Sequence, residues 1–280
     1  MWKIIVCLLF LCIAPEMLAG TRSSKPTTIR LEPYLGSELT MHAEVNGHPG
    51  LFLFDTGEGG STISSEFAKT IGCVPWGRTT GFRMSGERLD FQRCDYIQFK
   101  TAGETLTAPI AGVFDIMTLL PADAPHLDGS LGLDILAGRA ITFDESSGLL
   151  IIENAASLKK RIRNAKEIPI RLVRDVEGVA LAVDAGVPTP LGMAWMELDS
   201  GNGGTFVIAN HLASLFHLDP DKKEPQPVKF ELAGGIPVEG TARTRDLIMD
   251  GNIASQFFKK WILTIDLASG RAWLAPHAAV

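Results

Sequence analysis

The 280-residue sequence has no HExxH pair, no GxSxG turn and no CxxC pair. The first absence removes the helical zinc-hydrolase motif, the second the serine nucleophile elbow, and the third a redox pair or zinc knuckle. The histidines do not cluster. His211 and His217 stand six apart, off a common helical face, and with His42, His48, His126 and His277 they read as surface or hydrogen-bonded core residues. No metal and no other cofactor is therefore expected. Positive charge is also in deficit: the net charge is −6 and the pI near 5.6, so no basic face offers itself to nucleic acid. Gly/Ser-rich and Pro-rich low-complexity tracts are missing. Only two tyrosines occur, Tyr34 and Tyr96.

Long apolar runs are missing too. The longest terminal one, Ile4 to Ala14, has eleven residues, whereas a bilayer span needs about 20. Lys3 precedes this run and small residues follow it near Ala19, the arrangement of a secretory signal peptide over residues 1–20. Neither Cys7 nor Cys12 follows a small residue as a lipid-attachment cysteine would. The expectation is cleavage near Ala19 and a periplasmic or secreted protein with no stable membrane anchor. Cleavage leaves Cys73 and Cys94. In an oxidising compartment they are expected to pair, with Cα atoms within about 7 Å.

What the chain does have is a core-sized apolar content, 46%, together with 28 glycines and 16 prolines. It is also written twice. FDTGEGGSTIS (54–64) lies over LDSGNGGTFVI (198–208) at an offset of 144 residues, and each is followed by a short helical patch. Downstream, HLDGSLGLDILAGRAITFDESSGLLII (126–152) lies over IMDGNIASQFFKKWILTIDLASGRAWL (248–274) at an offset of 122. Two ordered matches define halves at 25–154 and 168–280. Between them, AASLKKRIRNAKE (155–167) reads as a solvated linker despite its five basic residues.

Within each half the apolar period is two, or the runs are short: ELTMHAEV, LFLF, YIQFK, GVALAVDAG, AWMEL, VKFEL, ILTIDL. Glycine, proline and Ser-Gly turns separate them. The pattern predicts an all-β, two-lobed protein with brief helices. Two hairpins are expected to turn at Ser85-Gly86 and Gly234-Gly235.

Each repeat runs from an apolar strand into Asp-hydroxyl-Gly. Gly57 and Gly59-Gly60 let the backbone turn sharply and another chain approach closely. If the halves pack about a pseudo-twofold axis, Asp55 and Asp199 meet, their carboxyls within about 3–4 Å. Two carboxyls in one site cannot both ionise, which leaves a base and an acid on one water. Thr56 and Ser200 are then free to hydrogen-bond across the interface. Asp128, Asp134, Asp250 and Asp266 stand beside glycines or turns and read as local caps.

The two hydrophobic-Asp-Thr/Ser-Gly loops, with SLG at 130–132 behind the first, resemble the aspartic peptidases of the pepsin and retropepsin kind, above all exported bacterial proteins with both lobes on one chain. The resemblance implies a duplicated acid-protease β-barrel fold and an endopeptidase acting on peptides or unfolded proteins as a monomer. It implies that Asp55 and Asp199 are the catalytic pair, that Thr56, Gly57, Ser200 and Gly201 support them, and that both hairpins are flaps. Glu58 and Asn202 stand where the family has small or hydroxyl residues, and Ala254 stands where Gly132 stands in the first half. Two other readings stand beside this one. GEGGST resembles the phosphate loops of actin-like ATPases, a reading opposed by the signal segment, the short chain and the few helices. A non-catalytic peptide-binding module that keeps the peptidase fold is the alternative that remains.

Overall fold

The computed structural model describes residues 25–277, so the expected signal peptide lies outside the described residues. Three sheets carry the described residues. One joins the halves, in the strand order Thr27–Arg30, Leu149–Glu153, Ala140–Asp144, Trp261–Asp266, Arg271–Pro276 and Lys166–Ile168. This order reads as a palindrome of the repeat. At its centre Thr142 pairs with Thr264, and their hydroxyls hydrogen-bond at 3.0 Å. Those two residues are matched positions of the second repeat, so the pseudo-twofold axis passes between them.

The remaining sheets are the lobes. The first runs in the order Glu32–Tyr34, Glu38–Val45, His48–Phe54, Gly129–Leu131, Thr62–Ile63, Glu104–Val113, Arg88–Thr101 and Trp76–Phe82. The second runs Ile170–Asp175, Ala180–Thr189, Gly192–Leu198, Gly251–Ile253, Phe206–Ala209, Ile236–Arg245 and Gln226–Leu232. Position by position the seven match the first seven of the eight. The strand Trp76–Phe82 has no counterpart, and the segment 114–128 is far longer than its match 246–250; together these account for most of the fall in offset from 144 to 122 residues.

Local sequence explains these elements. Strand Glu38–Val45 buries Met41, Ala43 and Val45 and exposes His42 and Glu44. Asn46 and Gly47 both take positive φ, 52° and 83°, as a two-residue hairpin turn requires. The returning strand His48–Phe54 buries Phe52, which meets Phe67 and Phe99 edge-on at 5.3 Å each. Phe67 belongs to the short helix Ser65–Thr70, which Ser64 caps by accepting the Phe67 N–H at 3.0 Å. Phe143 touches both Phe54 and Phe258, at 5.7 and 5.6 Å, and so joins the cores of the two lobes.

Residues 155–167 form the helix Ala155–Arg161 and the 3₁₀ turn Ile162–Asn164 with no buried side chain. Lys166 and Glu167 already belong to the joining sheet. Cys73 and Cys94 are disulfide-bonded, with Cα atoms 6.3 Å apart. No helix among the described residues is long and apolar enough to cross a membrane.

The first hairpin, Trp76–Phe82 with Arg88–Thr101, turns through Ser85 and Gly86, the latter at φ 81°. It crosses to the other lobe: the Ile248 N–H donates to the Met84 carbonyl at 3.0 Å, and Met84 packs with Val207, Ala209, Leu247 and Met249. At its base Arg93 pairs with Glu177 of the second lobe at 2.8 Å. It is therefore a roof spanning the junction.

The expectation of a second flap at Gly234-Gly235 is corrected. That turn exists, but the Ala233 N–H donates to the Gly186 carbonyl at 2.7 Å and Lys166 Nζ reaches the Gly235 carbonyl at 3.5 Å. It packs on the joining sheet. Its counterpart in the first lobe is the turn at Ala102-Gly103, because the strand that would make it a flap is the one the second lobe lacks.

Candidate active site

Both aspartates leave their strands in the same way. The Asp55 N–H donates to the Leu131 carbonyl and the Asp199 N–H to the Ile253 carbonyl, each at 3.0 Å. One turn upstream, Asp128 Oδ2 accepts the Leu51 N–H at 2.9 Å and Asp250 Oδ2 accepts the Trp195 N–H at 2.8 Å. Asp128 and Asp250 are thus matched braces. Asp266 caps its turn by accepting from Ala268 and Ser269. Asp134 is buried and accepts the Ser61 hydroxyl at 2.6 Å.

The loops lock across the axis. Thr56 N–H donates to Ser200 Oγ and Ser200 N–H donates to Thr56 Oγ1, both at 3.0 Å, while the Thr56 hydroxyl donates to the Leu198 carbonyl at 2.7 Å. Gly201 N–H, from the opposite lobe, donates to Asp55 Oδ1 at 3.0 Å, and Gly57 N–H donates to the same oxygen at 2.7 Å. A side chain at residue 57 would put Cβ 2.5 Å from Asp199 Cγ, so glycine is what allows this approach. Each carboxyl thus lies against the glycine of the opposite loop, Asp199 against Gly57 and Asp55 against Gly201, so the two face each other across the axis. Burial first, then the charges of Asp199 and Glu58, hold Asp55 well above the usual carboxylate range, against the Gly57 hydrogen bond.

Glu58 and Asn202, matched positions of the repeat, join two different networks. Ser130 Oγ donates to Glu58 Oε1 at 2.5 Å, and Thr62 and Ser130 hydroxyls bond at 2.8 Å. Burial, then the charges of Asp134 and Asp199, raise Glu58 to about 7 despite the Ser130 hydrogen bond. In the second lobe Asn202 Nδ2 donates to Asn252 Oδ1 at 2.9 Å. Asn252 Nδ2 donates to Asp199 Oδ2 at 2.5 Å and to Glu197 Oε2 at 3.1 Å. Glu197 is buried and held well above its ordinary range by that burial and by Asp199 and Asp184. Ala254 and Gly132 share extended backbone, φ −77° and −95°, so the alanine leaves this loop unaltered.

Reading the sequence brought out Asp55, Asp199, Thr56, Gly57, Ser200 and Gly201, and the structure brings all six together. Ser85 and Gly86 lie at the roof's tip, while Gly234 and Gly235 lie elsewhere. Asn252 and Glu197 were missed, as was the bond from Ser130, within the SLG element, to Glu58. The repeat carried the signal: Glu197 matches Leu53 in an otherwise apolar strand, and Asn252 matches Ser130. Among the described residues no three or more His, Cys, Asp or Glu side chains are disposed to hold a metal ion.

With this geometry in hand, a family model described as aspartyl protease matches residues 41–135, from the strand before Asp55 to the turn after SLG. Among solved structures, basic 7S globulin from soybean is similar over 90% of this chain and 95% of its own, at a TM-score of 0.59 and 9% identity. Conglutin gamma, a basic 7S globulin from lupine seeds, is similar over 90% of this chain and 95% of its own, at a TM-score of 0.56 and 8% identity. At these identities the likeness is one of fold, and the fold is the two-lobed all-β acid-protease fold. No curated protein sequence matches the chain.

Proposed function

We propose that the chain is an exported aspartic endopeptidase that hydrolyses peptide bonds with a water held between Asp55 and Asp199. The observation that carries this reading is that the two Asp-hydroxyl-Gly loops lock across the lobe junction, each carboxyl against the other loop's glycine and Thr56 bonded to Ser200. One aspartate takes the water's proton as its oxygen attacks the scissile carbonyl carbon. The other, protonated, donates to the carbonyl oxygen and stabilises the tetrahedral intermediate; proton return to the nitrogen then expels the amine. Peptides and unfolded proteins are the substrates this reading implies. With both aspartates on one chain, a monomer suffices. The disulfide supports an oxidising, extracytoplasmic location.

A second reading, a peptide-binding module without turnover, draws support from Glu58, a third carboxyl whose charge bears on the pair. A mixed-sequence peptide library incubated with the protein between about pH 3 and 7 separates the two. The peptidase yields new termini that Asp55→Asn abolishes; peptide retention with no new termini establishes the binding module instead.

A further inference from the structure

We propose that Asn252 divides the labour within the aspartate pair, keeping Asp199 as the ionised member that takes the water's proton and leaving Asp55 as the protonated member that polarises the carbonyl. This assignment rests on the peptidase reading. It starts from a chain of amide orientations. The Gly204 N–H donates to Asn202 Oδ1 at 3.1 Å, and Asn202 Nδ2 donates to the Thr205 carbonyl at 3.1 Å. These two bonds fix which end of Asn202 is nitrogen. Asn202 Nδ2 therefore faces Asn252 Oδ1, and Asn252, which is fully buried, must turn its own nitrogen to Asp199.

An amide nitrogen only donates, so the oxygen it faces acts as an acceptor, a role that a carboxylate oxygen fills better than a carboxylic O–H. Asp199 Oδ2 faces Asn252 Nδ2, and Asp199 Oδ1 accepts the Asn202 N–H at 3.0 Å. Both oxygens of Asp199 are thereby committed as acceptors, an arrangement that favours the carboxylate. Asp55 differs. Its two backbone donors, Gly57 and Gly201, converge on Oδ1, and among the described residues no N–H donates to Oδ2. Oδ2 is free to carry the shared proton, in keeping with the upward push on Asp55 from burial and its neighbours' charges.

The first lobe offers no equivalent of Asn252. Ser130 at the matched position is too short to do the same work and donates to Glu58 instead. The asymmetry is thus written in two matched pairs, Ser130 with Glu58 and Asn252 with Asn202. The remaining acidic groups near the pair are Glu58, Glu197, Asp134 and Asp184, each raised first by its own burial. Arg171 offsets Asp184. Carboxyls raised in this way hold their protons further up the pH scale, and the donors that face Asp199 are the Asn252 amide and the Asn202 N–H.

The test is the pH dependence of kcat/KM for wild type, Asn252→Leu and Asn252→Gln. The leucine variant keeps the size and removes the donor; its acid limb should move up by about one pH unit, a loss of roughly tenfold on that limb, with KM little changed. Asn252→Gln, which retains an amide, should restore the limb at least in part. A uniform loss at every pH would mark a purely structural role and overturn the assignment. A second measurement does not depend on turnover: ¹³C titration of labelled Asp carboxyls, in which the lower of the pair's two steps should rise in Asn252→Leu. Inactive wild type defeats the peptidase reading, whereas an unmoved titration step defeats the role given to Asn252.

Discussion

Thr56 and Ser200 exchange hydrogen bonds across the lobe boundary, each backbone N–H donating to the other's hydroxyl at 3.0 Å. Both residues are buried, and the Thr56 hydroxyl also serves the Leu198 carbonyl. Thr56→Val keeps the shape but leaves the Ser200 N–H and the Leu198 carbonyl without partners. Each such buried group costs about 1–3 kcal/mol. We expect a lower melting temperature by calorimetry and a lower kcat, with Thr56→Ser recovering both.

Stability should fall as pH rises through neutrality. Burial raises Asp134 and Asp184 to about 6, Glu58 to about 7 and Glu145 to about 8, the last against the opposing charge of Lys259. Above about pH 4 the unfolded chain releases protons that these folded groups retain. The stabilisation is complete below that pH and is lost as pH climbs through 6, 7 and 8. The melting temperature at about pH 5 should exceed that at pH 8 by several degrees, and Glu145→Gln should flatten the upper part of the curve. A flat curve in the wild type would show that these carboxyls are not buried as described.

The roof's tip offers another test. Gly86 has φ 81°, and a Cβ there would lie 2.8 Å from Ile248 Cγ2. Gly86→Val should strain the turn and hold the tip off the second lobe, raising KM for long peptides more than it lowers stability. Equal KM in the two proteins would mean that closure onto Ile248 plays no part in binding.

Much of this was legible because duplication repeats its own evidence. Asp55 and Asp199, their hydroxyl and glycine companions, the Ser85-Gly86 turn and the disulfide follow from strand period, offset and cysteine arithmetic. The second flap was misread because a Gly-Gly hairpin looks the same wherever it packs; only the missing counterpart of Trp76–Phe82 shows that Gly234-Gly235 belongs with Ala102-Gly103. Asn252 and Glu197 escaped for a different reason. A single polar residue in a short strand is ordinary in sequence, and its meaning depends on which carboxyl the fold turns toward it.

The Cys73–Cys94 bridge spans 21 residues and anchors the strand that rises into the roof. In the chain-entropy description such a loop contributes about 3 kcal/mol. Paired Cys→Ala substitution should lower the melting temperature by several degrees, as should reduction of the wild type. Reduction without any shift, or two reactive thiols in the purified protein, would contradict the bridge.

The central claim, water attack directed by Asp55 and Asp199 together, is tested most directly by digesting an unfolded, reduced carrier protein in ¹⁸O-enriched water between about pH 3 and 7. Wild type should yield new carboxyl termini that carry solvent oxygen, and Asp199→Asn should yield none. No new termini from wild type, or equal cleavage by Asp199→Asn, would contradict it.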